Sequence, residues 1–260
     1  MSSEKPTKIN QLLSSLPNGI VMQSFWLAKS GYSLDLQKRY RKGQWLQSIG
    51  TGAMKRTGED VGYEGAIYAL QTQSGTNIHP AGITALSMLG KAHYLDLGKQ
   101  KVIVFGGKGE KLPTWFQRHD WGIKVDFYQS SFLPPEEGLV EVELKSFSIK
   151  VSGAVRAIME CLYLAPEKQE LMECYELMEG LNNLRPVQVQ QLLEKCQSVK
   201  VKRLFMYMAE KVGHNWFPYM DLKNIDLGKG KRSIVKNGVY NAKYQITIPK
   251  ELEEHGKSTL

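Results

Sequence analysis

Three patterns predict an α+β protein. Short amphipathic helices open the chain, segments of alternating apolar and polar residues fill its middle, and longer amphipathic helices follow before a last strand-like stretch. Helices and strands are grouped along the chain and do not alternate as they would in a βαβ repeat.

The first helix spans 8–16, where Ile9, Leu12, Leu13 and Leu16 recur at helical spacing and Pro17-Asn18-Gly19 ends the run. A second fits 24–30, with Ser24 as N-cap and Gly31 at its end. Ser33 can cap a third, which runs to Lys42 and stops at Gly43. Leu36 and Tyr40 form its apolar side, while Asp35, Gln37, Lys38, Arg39, Arg41 and Lys42 occupy the rest. Trp45 to Ile49 then alternates as a strand, Gly50-Thr51-Gly52 turns the chain, and Ala53 to Arg56 returns as the basic arm of a hairpin. A basic third helix after a tight turn, followed by a hairpin, is the order of a winged helix-turn-helix. Residues 1–95 are therefore predicted to be a DNA-binding domain of that type.

Helices are expected over 63–73 and 81–89, separated by Asn77-Ile78-His79-Pro80 and closed by Gly90, and a hairpin over 93–97 and 101–105. This segment repeats the helix, helix, hairpin order and reads as part of the first module or a support packed on it. Gly106 to Gly109 and Leu112-Pro113 read as a loop between parts. Residues 96–260 are predicted to be a larger mixed α+β domain. Its strands are marked by Ile123, Val125 and Phe127, by Val140, Val142 and Leu144, and by Phe147, Ile149 and Val151. Helices follow over 154–164, 167–180, 186–197 and 200–212, with core stripes at Val189, Leu192, Leu193 and Cys196 and at Val201, Leu204, Phe205 and Met208. The final strand is 244–248, and the residues from Glu251 on are expected to fray.

An apolar content of 42% can fill cores of this size without staples. Cys161, Cys174 and Cys196 are odd in number and lie in amphipathic helices, which argues for reduced core residues and against a disulfide framework or zinc cage. No run approaches the length of a membrane span and no signal-peptide core opens the sequence, so a cytoplasmic protein without membrane contact is expected. The net charge of +8 is unevenly spread. One basic cluster includes Lys38, Arg39, Arg41, Lys42, Lys55 and Arg56; a second runs from Lys200 to Lys236; between them lies an acidic stretch with Glu167, Glu170, Glu173, Glu176 and Glu179.

Double-stranded DNA is the partner that the first cluster suggests. Ser33, Gln37, Lys38 and Arg41 are the candidates for reading base edges, with Arg39 on the same helix; Lys42, Lys55 and Arg56 are the candidates for phosphates. In the second cluster Lys200, Arg203, Tyr207 and Lys211 share one side of a helix, opposite its core stripe. With Lys202 and the glycine-rich loop cations Lys229, Lys231 and Arg232 they are expected to form a polyanion surface. The loop lacks the spacing of a phosphate-binding P-loop. Two other readings stay open: a ligand- or partner-sensing transcription factor, and a metal-dependent nuclease using Glu143 and Lys145 with Asp126 upstream. The five histidines have no metal-ligand spacing and no nucleophile motif is visible, so no catalytic residue, metal or cofactor is assigned and the chain is read as not an enzyme.

A set of strings in fixed order adds to this reading. They are Lys38-Arg39-Tyr40, Trp45-Leu46-Gln47-Ser48-Ile49-Gly50-Thr51-Gly52-Ala53, Gly65-Ala66-Ile67-Tyr68-Ala69-Leu70-Gln71, Thr84-Ala85-Leu86 and Gly90-Lys91-Ala92-His93-Tyr94-Leu95. Two more lie near the other end, Lys200-Val201-Lys202-Arg203-Leu204-Phe205 and Tyr244-Gln245-Ile246-Thr247-Ile248-Pro249. In these strings and their spacing the chain resembles the AbiEi antitoxins, the regulator halves of type IV AbiE toxin-antitoxin operons. The resemblance implies an autorepressor that binds inverted repeats in its own promoter through Ser33 to Lys42 and the arm at Lys55 and Arg56. It also implies a C-terminal domain that antagonises a nucleotidyltransferase toxin, AbiEii, without a stable complex.

Overall fold

The computed structural model describes residues 7–92 and 101–255. The strand expected over 93–97, and with it the boundary at 95, lies outside the described residues. The chain begins with α1 (Lys8–Ser15), β1 (Met22–Gln23), α2 (Ser24–Lys29), α3 (Leu34–Lys42), β2 (Leu46–Gly50) and β3 (Ala53–Arg56). Local sequence explains the ends of α1 and α3. The Thr7 and Ser33 side chains cap α1 and α3 by accepting from Asn10 and Leu36 backbone N–H groups, and at the end of α3 the Gly43 and Gln44 N–H groups return to the Arg39 and Arg41 carbonyls. The strands pair antiparallel in the order β1-β3-β2. This order of helices followed by a β-hairpin is compatible with the expected winged helix-turn-helix.

The three-stranded sheet divides two cores. Met22 and Met54 face a small cluster with Ile9, Leu12, Leu27, Tyr40 and Leu46, while their neighbours Val21 and Ala53 face the large one. The alternation of side chains along a strand produces this split. The two-residue strand β1 carried no signal of its own in the sequence, because it exists only through its register with Met54 and Ala53.

Next come α4 (Tyr63–Gln73), β4 (His79–Pro80), α5 (Gly82–Met88), β5 (Lys101–Gly107), α6 (Thr114–Arg118) and β6 (Lys124–Ser130). The partners of β5 among the described residues are β4 and β6. The strand runs antiparallel to β4 and parallel to β6, in the order β4-β5-β6, with α6 in the crossover. A ribbon of β7 (Leu139–Glu143) and β8 (Ser148–Ser152) then leads into α7 (Ala154–Leu164), α8 (Leu171–Glu179), α9 (Pro186–Lys195) and α10 (Val199–Val212). A small sheet closes the chain, formed by β9 (Arg232–Ser233), β10 (Val239–Asn241) and β11 (Ile246–Ile248) in the order β10-β11-β9, and α11 (Lys250–Glu254) ends it. The fraying expected from Glu251 does not start there: Leu252 is buried and pins α11 to the core.

Helices α4 and α5 contribute Ala66, Ile67, Leu70, Ile83 and Leu86 to the large core, which continues through α7 to α11. Packing therefore joins residues 63–92 to the following part of the chain. The seam between the two cores is hydrogen-bonded and close-packed. Gln23 donates to the Ala69 carbonyl at 2.9 Å, Gln73 donates to the Val21 carbonyl at 2.8 Å, and a Cβ at Gly65 would meet the Gly19 carbonyl at 2.0 Å. At that last contact only glycine leaves room. Cys161, Cys174 and Cys196 are free and buried, as read from the sequence, and burial pushes all three thiols up from their ordinary range.

Candidate nucleic-acid interface

Helix α3 lies on the small core through Tyr40 and the half-buried Leu36, which leaves the opposite side to solvent. Lys38, Arg39, Arg41 and Lys42 are all exposed, and none forms a hydrogen bond or ion pair among the described residues. Leu34, Lys38 and Arg41, at i, i+4 and i+7, line one flank of that free side. A cationic face whose donors have no internal partner can accept phosphate oxygens or guanine acceptors without first breaking anything. Ser33 stays exposed, although its hydroxyl oxygen is engaged as the cap at 3.4 Å from the Leu36 nitrogen.

Gln37 does not belong to this surface. It is 2% exposed, accepts from the Ser24 hydroxyl at 2.5 Å and donates to the Ser24 and Tyr32 carbonyls at 3.0 and 2.7 Å. All its polar atoms are used beneath the turn between α2 and α3, so the expectation that it reads a base is corrected. A signal was present, since Gln37 lies one turn from Tyr40 on the helix's apolar side.

Arg56 is also corrected. It is half-buried and bridges α1 to β3, donating to the Leu13 and Leu16 carbonyls, to the Asn18 side chain and to Glu59 at 3.2 Å. A guanidinium with these four partners is a latch and not a free phosphate ligand. Lys55, half-buried and paired across the hairpin with Gln47, keeps its ammonium unengaged among the described residues. The hairpin turn itself is held: the Gly52 carbonyl accepts from the Ser24 backbone at 2.8 Å, and Gly50 passes so close to α6 that a Cβ would lie 2.9 Å from the Trp115 Cβ.

The second basic cluster splits in two. Its helical half turns inward, because that side of α10 is covered by the end of α7 at Lys200 and by the segment from 225 onward at Arg203, Tyr207 and Lys211. Arg203, 2% exposed, donates to the carbonyls of Leu227 at 2.7 Å, Gly228 at 3.1 Å, Gly230 at 2.7 Å and Gln245 at 3.1 Å. Lys200 donates to the Tyr163 and Ala165 carbonyls, and burial pushes its ammonium down from its ordinary value. Lys211 donates to the Glu253 carbonyl, Tyr207 to the Glu253 carboxylate, and Lys202 is buried. Lys200, Arg203 and Lys211 thus spend their donors inside the fold and Lys202 is buried, so the surface expected of these four is corrected. Lys229 and Lys231, on the loop that Arg203 shapes, and Arg232, at the start of β9, remain exposed, with Lys231 over the Tyr240 ring at 5.1 Å.

The residues of the nuclease reading do not share one sheet. Asp126 sits on β6 and pairs with Lys124 at 3.0 Å, whereas Glu143 is on β7 of a different sheet and Lys145 is in the turn after it. Among the described residues no three of His, Cys, Asp and Glu are grouped to hold a metal ion, and no helix is long and apolar enough to cross a membrane. One buried polar cluster went unread in the sequence. Glu160 accepts from Arg156 at 2.8 Å, Ser152 at 2.6 Å and the Gly82 backbone at 3.0 Å, with His79 at 3.3 Å.

Comparison with known proteins adds independent findings. A solved structure, that of the RV2827C protein from Mycobacterium tuberculosis, superposes with a TM-score of 0.56 at 13% sequence identity, over 92% of this chain and 88% of that one. At that identity the likeness concerns the fold alone. A sequence comparison with curated proteins finds no match. Two family models do match. Residues 5–97 fit the model described as "Transcriptional regulator, AbiEi antitoxin N-terminal domain", and residues 99–249 fit "Transcriptional regulator, AbiEi antitoxin, Type IV TA system". With nearly the whole length accounted for, the chain belongs to the AbiEi family of antitoxins and transcriptional regulators of type IV toxin-antitoxin systems.

Proposed function

We propose that this AbiEi-family chain is an autorepressor that docks α3 in the major groove of inverted repeats in its own promoter. The winged-helix unit and its support within 1–95 form the DNA-binding part. The observation that carries the reading is the free cationic side of α3: Lys38, Arg39, Arg41 and Lys42 project from a helix whose other side is anchored by Gln37 and Tyr40. The hydrogen-bonded seam to the large core fixes how that helix is presented. Phosphate contact falls to Lys42 and Lys55. The second role, antagonism of a nucleotidyltransferase toxin without a stable complex, is assigned to residues 96–260, with Lys229, Lys231 and Arg232 as its polyanion surface.

A gel-shift titration with DNA from upstream of the operon tests the first role. Lys38→Ala or Arg41→Ala weakens binding by about 1–3 kcal/mol if the lost contact is to a base, and by less and equally on all sequences if it is to phosphate. Unchanged affinity in the double variant overturns the reading. Co-expression with the adjacent gene tests the second role: growth arrest relieved by the wild-type chain and not by the Lys229, Lys231 and Arg232 triple alanine variant supports it.

A further inference from the structure

Leu34 is 66% exposed at the first position of α3, whereas Leu36, two residues on, is half-buried in the small core. A leucine so placed adds nothing to the packing of its own domain, and the polar residues common in a helix's first turn would satisfy the fold equally well. It shares its flank with Lys38 and Arg41, the free cations of the proposed groove-facing side. In a helix, side chains lean toward the N-terminus, so Leu34 covers the leading end of that flank.

We infer that Leu34 is a specificity-determining residue that packs its methyl groups on the C5-methyl of a thymine in the major groove. The inference rests on the DNA-binding reading and deepens it. Thymine is the base that offers an apolar group on that edge, and a leucine cannot satisfy the donors and acceptors of the other three. Spacing sharpens the site. Leu34 and Lys38 are four residues apart, about 6 Å along the helix. Base steps are about 3.4 Å apart on one strand. A helix lying along the groove therefore places the thymine about two steps from the base that Lys38 meets.

The test uses duplexes selected by the wild-type chain from a randomised pool, in which each thymine is replaced singly by deoxyuridine, removing one methyl and nothing else. One replacement per half-site is expected to weaken wild-type binding about fourfold, the worth of one buried methyl. The same replacement leaves binding by Leu34→Ala unchanged. As Leu34 is exposed, the variant should melt at the wild-type temperature, which separates loss of contact from loss of fold. If wild type binds DNA but no replacement distinguishes the two proteins, the inference fails while the DNA-binding reading stands. If wild type selects no duplex at all, both fall.

Discussion

Gln37 and Ser24 are joined twice across the turn that separates α2 from α3: the Ser24 hydroxyl donates to the Gln37 side-chain oxygen at 2.5 Å, and the Gln37 amide donates back to the Ser24 carbonyl at 3.0 Å. With the third bond, to the Tyr32 carbonyl, this sets the angle at which α3 is offered to a partner. Gln37→Ala strips two carbonyls and a hydroxyl of partners and should lower stability by about 2–3 kcal/mol. Urea unfolding measures the loss. DNA affinity per folded molecule, at a temperature where the variant is folded, should fall through misorientation and without a new sequence preference.

Arg56 separates structure from contact in the neighbouring arm. Its guanidinium holds the end of α1, so Arg56→Ala should reduce thermal stability by roughly 2–4 kcal/mol while leaving the salt dependence of DNA binding unchanged. Lys42→Ala should do the reverse, with near-wild-type melting and a slope of log affinity against log salt reduced by about 1. Equal slopes in the two variants would overturn the distinction.

Arg203 donates to four backbone carbonyls and, among the described residues, to no carboxylate, so its charge is dispersed over the loop 227–230 and Gln245, the residue before β11. Arg203→Met keeps the apolar stem but orphans these carbonyls, at about 3–5 kcal/mol. Hydrogen exchange is expected to rise first in 227–248. If exchange rises uniformly along the chain, Arg203 is not the anchor of the terminal sheet.

Acid sensitivity should centre on Glu160. Burial alone would push its carboxyl up, but the hydrogen bond from His79, the Arg156 guanidinium and the Ser152 hydroxyl together hold it below its ordinary value. A carboxyl depressed on folding contributes stability that is full above its unfolded value of about 4.3 and is lost as pH falls through its folded value. The wild-type chain should therefore lose stability below about pH 4.3 more steeply than Glu160→Gln. The variant is less stable at pH 7 by about 3 kcal/mol, because Arg156 loses its buried counter-charge. Parallel acid limbs for the two proteins would exclude Glu160 as a source of the loss.

Local rules made much of the fold legible. Ser33 and Gly43 bracket α3, Tyr63–Gln73 and Ala154–Leu164 begin and end where their apolar spacing does, and Ala53–Arg56 returns after a glycine turn. What failed was pairing at a distance. The strands β1 and β4 are two residues long and exist only through Met54 and Phe105, and the parallel pairing of β5 with β6 joins segments that no local pattern links. For the site, the cationic character of α3 could be read directly, yet the free and the engaged side chains could not be sorted.

The residues by themselves determined the order of the longer helices and of the β2–β3 hairpin, the family to which the chain belongs and the basic identity of α3, because caps, turns and helical spacing act over a few residues. Only the tertiary structure decided which charges face outward. Lys38 and Arg203 look alike in a helical pattern, but one meets solvent and the other meets four carbonyls from a segment 24 to 42 residues away. A guanidinium or ammonium is satisfied equally by water, phosphate or backbone oxygen, and the choice depends on what the rest of the chain brings to it.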